Sequence, residues 1–465
     1  MSWEQIAATK ERLEEEQGTV FKDWGGRLPI ALAFPNRYHL GMSSLALHTL
    51  YRLWNARPDV VCERVFTDLQ PPISMESGAP LDYFPVLGFT ISYEMDYFGV
   101  AALLRSGNIP PWAAERDERH PLVIAGGPAV SANPEPVVPF LDAILIGEVE
   151  PIFQSLTDAL LLGASDRDAA LDALAQVPGV YLPHHPSTTT PSEIPGQGPP
   201  PVARQWLRDL DTFPTYSAIL APDTEFANMG LIEIARGCGR GCRFCLAGFA
   251  FRPPRQRSVD NILAQARELL HFTDRLGLVS AAVSDHSHID QLALELRALG
   301  AQIRVSSMRV DPISEPLIQA LAESGTRTLT IAPEAGSERL RQIINKTQSE
   351  GDVLRAVELA ARYGLRRLKL YFMVGLPTED IDDIQALVDL ALACDARFPG
   401  QVTVNLTPFV PKAHTPFERH AQTPAKIVKR RCTFVERGLW KHGISVRYES
   451  PAWAEIQGAL ARGDR

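Results

Sequence analysis

Ile234-Ala-Arg-Gly-Cys238-Gly-Arg-Gly-Cys242-Arg-Phe-Cys245 gathers three of the chain's six cysteines into one glycine-rich stretch, spaced C-x3-C-x-F-C. It follows directly on Leu231–Ala235, a short apolar run that reads as a β-strand. The other cysteines, Cys62, Cys394 and Cys432, are dispersed. Six cysteines are too few for a disulfide framework in 465 residues, and three together point to ligation. An iron–sulfur cubane needs four iron ligands and usually takes thiolates. Three thiolates leave one iron open to a small molecule. A closed zinc site needs a fourth ligand and commonly paired C-x2-C spacing, which this stretch lacks. Cys394 sits on an apolar helical face and reads as a core residue.

Working outward, strand and helix patterns alternate on the C-terminal side. Strands are expected at Leu231–Ala235, Val279–Val283, Ile303–Ser307, Thr328–Ile331, Leu368–Val374 and Val402–Leu406. Helices are expected at Val259–Phe272, Asp290–Leu299, Glu315–Ser324, Gly351–Tyr363 and Asp382–Cys394. Six such units predict a partial (β/α)6 barrel, whose active site gathers at the carboxyl ends of the strands. On the N-terminal side the strand candidates are Ile30–Phe34, Val86–Ser92, Leu122–Ala125 and Ala143–Ile146. Helical stretches at Ser43–Asn55, Tyr97–Ser106 and Glu150–Leu162 separate them. That alternation predicts a doubly wound parallel sheet with ligands at Phe34–Gly41, Ser92–Asp96, Gly126–Pro128 and Gly147–Glu150. Residues 184–203, HHPSTTTPSEIPGQGPPPVA, have little to bury and read as a linker.

The fold class is therefore α/β in four parts. An N-terminal helix and Rossmann-like sheet occupy 1–185, a linker region 186–228, the barrel 229–422, and an extension with a basic helix and a strand at Ser445–Tyr448 occupies 423–465. An apolar fraction of 45% and a charged fraction of 22% suit a globular protein. No apolar run approaches the roughly 20 residues that span a bilayer, and Met1–Gly18 has no apolar signal core, so a cytoplasmic location is expected. The net charge of −9 argues against a broad nucleic-acid surface. The basic runs Arg252–Arg257 and Lys426–Arg431 read as solvated faces.

The pattern C-x3-C-x-aromatic-C resembles the signature of the radical S-adenosylmethionine (SAM) superfamily. The resemblance implies a [4Fe–4S] cluster on Cys238, Cys242 and Cys245, with SAM chelated at the open iron and Phe244 near its adenine. It implies reductive cleavage of SAM to methionine and a 5′-deoxyadenosyl radical, with an electron from a donor such as flavodoxin or ferredoxin. Further SAM contacts are implied at Arg309 in Ser306-Ser-Met-Arg309, at Glu334 in Thr330-Ile-Ala-Pro-Glu334, and at Gly375 and Pro377 in Tyr371-Phe-Met-Val-Gly375-Leu-Pro377-Thr-Glu379. Glu334 and Arg309 equally suit plain ion pairs at the barrel rim. The family's Gly-Gly-Glu at the second strand is replaced by Val283-Ser-Asp-His-Ser-His288. Ser284 and Asp285 are the candidates to hold the SAM amino group, and His286 and His288 face either substrate or solvent.

Leu122-Val-Ile-Ala-Gly126-Gly127-Pro and Asp142-Ala-Ile-Leu-Ile-Gly147-Glu148 resemble the cobalamin-binding domain that precedes many radical SAM barrels. That implies cobalamin near Gly126, Gly127, Gly147 and Glu148. The cobalt-ligating D-x-H-x-x-G is absent, and the nearest stretch is Asn36-Arg-Tyr-His39-Leu-Gly41. Cobalamin then binds without a protein histidine on cobalt, or the domain keeps the fold alone. Ala31–Leu47, Gly88–Asp96 and Pro408–Glu418 resemble a group of bacterial radical SAM proteins with this two-domain layout. The reaction so implied is methylation of an unactivated carbon with cobalamin. The alternatives are other radical chemistry (rearrangement, oxidation or sulfur insertion) beside a vestigial cobalamin domain, and a non-catalytic iron–sulfur sensor. Methylthiolation needs a second cysteine cluster, which dispersed Cys62, Cys394 and Cys432 do not supply. Protein, RNA and small-molecule substrates fit the sequence equally.

Overall fold

A computed structural model describes residues 3–185 and 202–464. Residues 186–201 of the expected linker region lie outside the described residues. The chain divides into two compact units. The first comprises Met1–Arg208, Thr215–Asn228 and Gly463–Arg465, and the second Asp209–Pro214 and Met229–Arg462.

The first unit is built on a six-stranded sheet. Its strands are β1 (Leu28–Ala33), β2 (Val60–Val65), β3 (Val86–Thr90), β4 (Leu122–Gly126), β5 (Ala143–Leu145) and β6 (Val180–Tyr181). They run in the order β2-β1-β3-β4-β5-β6, parallel except for β6. Helices Leu45–Ala56, Tyr97–Ser106 and Phe153–Leu162 fall where the 3.6-residue periodicity puts them. The order reverses between β1 and β3, and in doubly wound sheets that switch point opens a crevice at the carboxyl ends.

Strand β2 is absent from the sequence expectations. Its sequence, VVCERV, carries two charges, yet all six residues are buried. Partners from other segments neutralise them. The Arg64 guanidinium gives Nη1 and Nη2 to the two Glu16 oxygens at 2.7 Å each, and Nε to Glu76 at 2.7 Å. Trp24 and Ser77 hydrogen-bond to Glu63.

The chain from 202 to 228, expected to belong to a linker, is packed. Leu207, Leu210, Ile219, Leu220 and Ala221 are all buried. Within the first unit, His48 clips part of it down. Its Nε2 donates to the Met42 carbonyl at 2.9 Å, and Nδ1 accepts the Ala218 and Ile219 N–H groups at 3.2 and 3.3 Å. Burial pushes the imidazole down to about 4, against the Met42 carbonyl, which favours the charged form. An unfolded histidine titrates near 6.5, so the unfolded chain binds the proton more tightly. The clip's stability is complete above about 6.5 and is lost as pH falls toward 4, by roughly 2 kcal/mol at pH 5. Amide exchange in β1 should accelerate between pH 7 and pH 5 beyond the intrinsic chemical change, and His48→Gln should flatten that dependence. Equal acid sensitivity in both proteins would reject the clip.

The second unit is a run of parallel strands. Strand β7 (Gly230–Glu233) leads into an antiparallel pair, β8 (Ala235–Arg236) and β9 (Arg255–Gln256). Then come β10 (Arg275–Val279), β11 (Gln302–Val305), β12 (Thr328–Glu334), β13 (Arg367–Val374), β14 (Gln401–Pro408) and β15 (Ser445–Tyr448). The parallel ladders are β7-β10-β11 and β12-β13-β14-β15, and a parallel bridge from Met308 to Ile331 joins the two series. This is the partial barrel with one further strand from the C-terminal stretch.

One strand differs from its sequence expectation. The second barrel strand is Arg275–Val279, and Val283–Asp285 forms a 3-10 turn beyond its carboxyl end. The apolar run continues through Ala281, Ala282 and Val283, so hydrophobicity alone does not mark where pairing stops. Pairing with β7 ends at Glu233, opposite Val279.

Candidate active site

The cysteine loop leaves and returns at one point, because β8 and β9 pair Ala235 with Gln256 and Arg236 with Arg255. Glycine is required at its base. Gly237 has φ +76°, and a Cβ there would overlap the Phe251 carbonyl oxygen. A Cβ on Gly248 would overlap the Arg240 carbonyl in the same way. The loop is pinned from the segment following helix Glu338–Ile343. Asn345 Nδ2 donates to the Gly241 carbonyl at 2.7 Å, and the Arg243 N–H donates to the Ile344 carbonyl at 2.9 Å. Arg252 donates to the carbonyls of Gly239 and Arg240 at 3.3 and 3.2 Å.

All three thiols are free, with Cys242 buried and Cys238 and Cys245 half-buried. Burial pushes the Cys245 thiol up, while nearby backbone N–H groups of Ala247 and Gly248 stabilise its thiolate; the charges of Cys242 and Cys238 add to the rise. The donor set suits a cubane. Three thiols share one loop, and the remaining cysteines are fully buried elsewhere. Among the described residues no three Cys, His, Asp or Glu side chains are gathered tightly enough for a single metal ion. A cubane places each thiolate on a different iron and takes a wider set.

The other expected SAM residues lie around this loop at strand ends. Phe244 packs with Ile343 and Met373 against buried Leu340, Leu376 and Phe409. Asp285 takes a bidentate pair from Arg240 of the loop at 2.8 and 3.1 Å, with Arg309 Nε at 3.7 Å. Ser284 is buried, and its hydroxyl accepts the Arg309 N–H at 3.1 Å. These two residues tie the turn after β10 to the cysteine loop and to the end of β11. His286 does not face solvent. It is buried, its Nε2 donates to the Arg257 carbonyl at 3.0 Å, and burial lowers its pKa.

Glu334 ends β12 after a register shift, at φ +67°, and Lys346 Nζ donates to it at 3.1 Å. At the end of β13, Gly375 has φ +91°. The Glu379 carboxylate turns back to accept the Gly375 N–H at 2.9 and 3.0 Å, and Arg431 donates to it at 2.7 Å. Burial pushes this carboxyl up to about 7, while those donors hold it down. Pro377 is half-buried in the same turn. Non-glycine residues at positive φ recur past these strand ends, at Glu334, Asn345, Thr378 and His414. Such strain clusters where surrounding contacts fix a functional loop. Arg240, Asn345, Lys346 and Arg431 are missing from the sequence candidates. Only Arg240 carries a local signal, by lying between the cysteines.

In the first unit the switch point between β1 and β3 carries Asn36, whose amide donates to Asp96 at 3.0 Å. Leu40, Tyr93 and Phe98 are exposed just past these strand ends. Gly126 closes β4, with ordinary contacts, and at Gly127, with φ +118°, a Cβ would overlap the Ile91 carbonyl. Gly147, at φ +112°, leaves room for the Gln205 carbonyl, and Glu148 accepts the Leu207 N–H at 2.8 Å. These last two are therefore engaged by the chain's own 205–207 segment. The His39 side chain is half exposed, with Nδ1 at 3.2 Å from Asp223.

A parallel partial barrel bearing three cysteines on its first strand-end loop, preceded by a doubly wound sheet, defines the class. The chain belongs to the radical SAM superfamily: that family matches residues 232–391, and the family of N-terminal regions of radical SAM proteins matches residues 46–183. It is 31% identical to the uncharacterized protein MJ0966 of Methanocaldococcus jannaschii over 94% of this chain and 88% of that one. Cytidylyl-2-hydroxyethylphosphonate methyltransferase of Streptomyces wedmorensis is 24% identical over 54% of this chain and 52% of its own length. Among solved structures, the radical SAM methyltransferase TsrM of Kitasatospora setae, with cobalamin and a [4Fe–4S] cluster bound, superposes with a TM-score of 0.57. The match covers 86% of this chain and 78% of TsrM at 15% identity, a likeness of fold. A [4Fe–4S] cluster and SAM are the cofactors of the radical SAM domain. No helix among the described residues is long and apolar enough to cross a membrane.

Proposed function

We propose that this chain is a cobalamin-dependent radical SAM methylase acting on an unactivated carbon. The observation that carries the reading is the succession within one chain: a doubly wound sheet that switches direction between β1 and β3, with Leu40, Tyr93 and Phe98 exposed beyond those strands, then a barrel with the three-cysteine loop. The apolar rim suits a broad, flat ligand such as a corrin. TsrM, which binds cobalamin, and the Streptomyces methyltransferase support the same reading by likeness.

Cys238, Cys242 and Cys245 would hold the cluster, and Phe244 with the Gly375–Pro377 turn would bound the adenine. Ser284, Asp285, Arg309 and Glu334 would hold the amino-acid end of SAM, and Arg240 and Lys346 fix the two carboxylates. When bound, the cluster supplies one electron that splits SAM into methionine and a 5′-deoxyadenosyl radical. That electron would come from a low-potential donor such as flavodoxin or ferredoxin. Gly126 would let backbone approach the cobalamin, and Gly127, packed on the Ile91 carbonyl, would with Gly147 and Glu148 hold the strand ends in shape.

A second reading, radical chemistry without methylation on a vestigial cobalamin fold, is favoured by Gly147 and Glu148 being taken up by residues 205–207 and by the missing D-x-H-x-x-G. The two part in one experiment. Protein purified anaerobically from cobalamin-fed cells should show corrinoid absorbance, and turnover should give S-adenosylhomocysteine along with 5′-deoxyadenosine. 5′-Deoxyadenosine alone, with no corrinoid absorbance, would establish the second reading and reject the first.

A further inference from the structure

The interior of a (β/α) barrel is ordinarily filled by branched apolar side chains. In the four strands β12 to β15 the pattern is different. Leu368, Leu370, Phe372, Val402, Val404 and Leu406 are buried on one face. Helices Glu350–Arg362, Ile381–Asp395 and Ala425–Trp440 pack on these strands. Side chains alternate across a sheet, so the residues between them share the opposite, concave face. There the register aligns Thr330, Lys369, Thr403 and Ser445 in one row, and Tyr371, Asn405 and Arg447 in the next. None of these residues is buried, and Tyr371 is 38% exposed.

The charge in these two rows is one-sided. No side-chain hydrogen bond or ion pair engages Lys369 or Arg447 among the described residues. Of the carboxylates at the neighbouring strand ends, Glu334 has Lys346, Asp285 has Arg240, and Glu233 has Arg236 and Arg257, while Glu449, just past β15, has no ion-pair partner among the described residues. The two rows hold cations and hydroxyl or amide groups and no acid. Two residues further along β13 on the same face is Met373, which packs against the same buried cluster as Phe244 of the cysteine loop. At about 3.3 Å per residue the Tyr371 row lies roughly 7 Å from Met373 and the Lys369 row roughly 13 Å.

We propose that this concave face is the substrate site and that it takes a small anion rich in oxygen, a phosphate or polycarboxylate ester. Lys369 and Arg447 supply charge, and Thr330, Tyr371, Thr403 and Asn405 supply hydrogen bonds. Adjacent strands stand about 4.8 Å apart, so the rows match an elongated anion better than a compact one. The inference deepens the proposed function and rests on it for calling the occupant a substrate.

The test is isothermal titration of the cluster-loaded, SAM-bound protein with inorganic pyrophosphate and, separately, with citrate. Binding of pyrophosphate identifies the phosphate source and binding of citrate the carboxylate source. Whichever binds should lose at least about tenfold in affinity in Lys369→Met and should weaken with added salt. Arg447→Met, at the exposed sheet edge, gives the same measurement should Lys369→Met fail to fold. Failure of both probes to bind the wild type, or unchanged affinity in the folded variants, overturns the proposal. SAM cleavage is scored in the same wild-type preparation. Anion binding without cleavage contradicts the proposed function and leaves the site standing, whereas cleavage without anion binding rejects the site alone.

Discussion

Cys242→Ala should leave the second unit folded and abolish SAM cleavage, with iron falling from about four per chain to background. The thiol is the middle one of the three and is 7% exposed. The contacts that hold the loop are backbone ones made by Asn345, Arg243 and Arg252, and none uses a cysteine sulfur. The loop therefore keeps its path when the thiol goes, and only ligation is lost. Cys432→Ala is the matched control, because Cys432 is fully buried on helix Ala425–Trp440 and is not one of the loop's three cysteines. It should retain iron and 5′-deoxyadenosine formation, with at most a modest loss of stability. Wild-type iron and wild-type 5′-deoxyadenosine yield in Cys242→Ala would remove the cysteine loop from the chemistry.

The largest effect on stability should come from Arg64→Met in the first unit. Arg64 is wholly buried between Glu16 and Glu76, its guanidinium lies 5.1 Å from the Tyr51 ring centroid, and Tyr38 donates to Glu16 at 2.6 Å. The change leaves two buried carboxylates without a cation, which costs about 3–5 kcal/mol. Replacing the acids as well, in Arg64→Met with Glu16→Gln and Glu76→Gln, should return most of that loss, since the penalty belongs to the stranded charges. Denaturant unfolding followed by hydrogen exchange in β1 and β2 reads both. A single variant as stable as the wild type would show that the network contributes nothing net.

That same residue marks where sequence reading stops. Strands β1, β3 and β4 are legible because runs such as Ile30–Ala33 and Val86–Phe89 are apolar throughout, as strands buried on both faces must be. Strand β2 is illegible because Glu63 and Arg64 interrupt its run, and the groups that neutralise them come from Glu16, Trp24, Glu76 and Ser77 in other segments. The end of β10 is missed for the opposite reason. Ala281 to Val283 stay apolar after pairing has stopped, so composition extends the strand where geometry ends it. In the candidate site the cysteines are fully legible, since their spacing alone states a ligand set. The residues that shape the site are not. Asn345 lies 104 positions from the Gly241 carbonyl it holds, Lys346 reaches back to Glu334, and Arg431 reaches Glu379 from the C-terminal helix. The concave rows are half legible. The alternation Leu368-Lys-Leu-Tyr-Phe predicts a strand with one wet face, but only the register with β14 and β15 brings Asn405 and Arg447 beside Tyr371.

The central claim, that the loop at the end of β7 makes this chain a SAM-cleaving enzyme, meets its most direct test in one anaerobic assay. Protein reconstituted with iron and sulfide is given SAM and a low-potential reductant, and the nucleoside and amino-acid products are quantified by chromatography. The account predicts 5′-deoxyadenosine and methionine in equal amounts, dependent on the reductant. A fully clustered, reduced preparation that leaves SAM intact would contradict it.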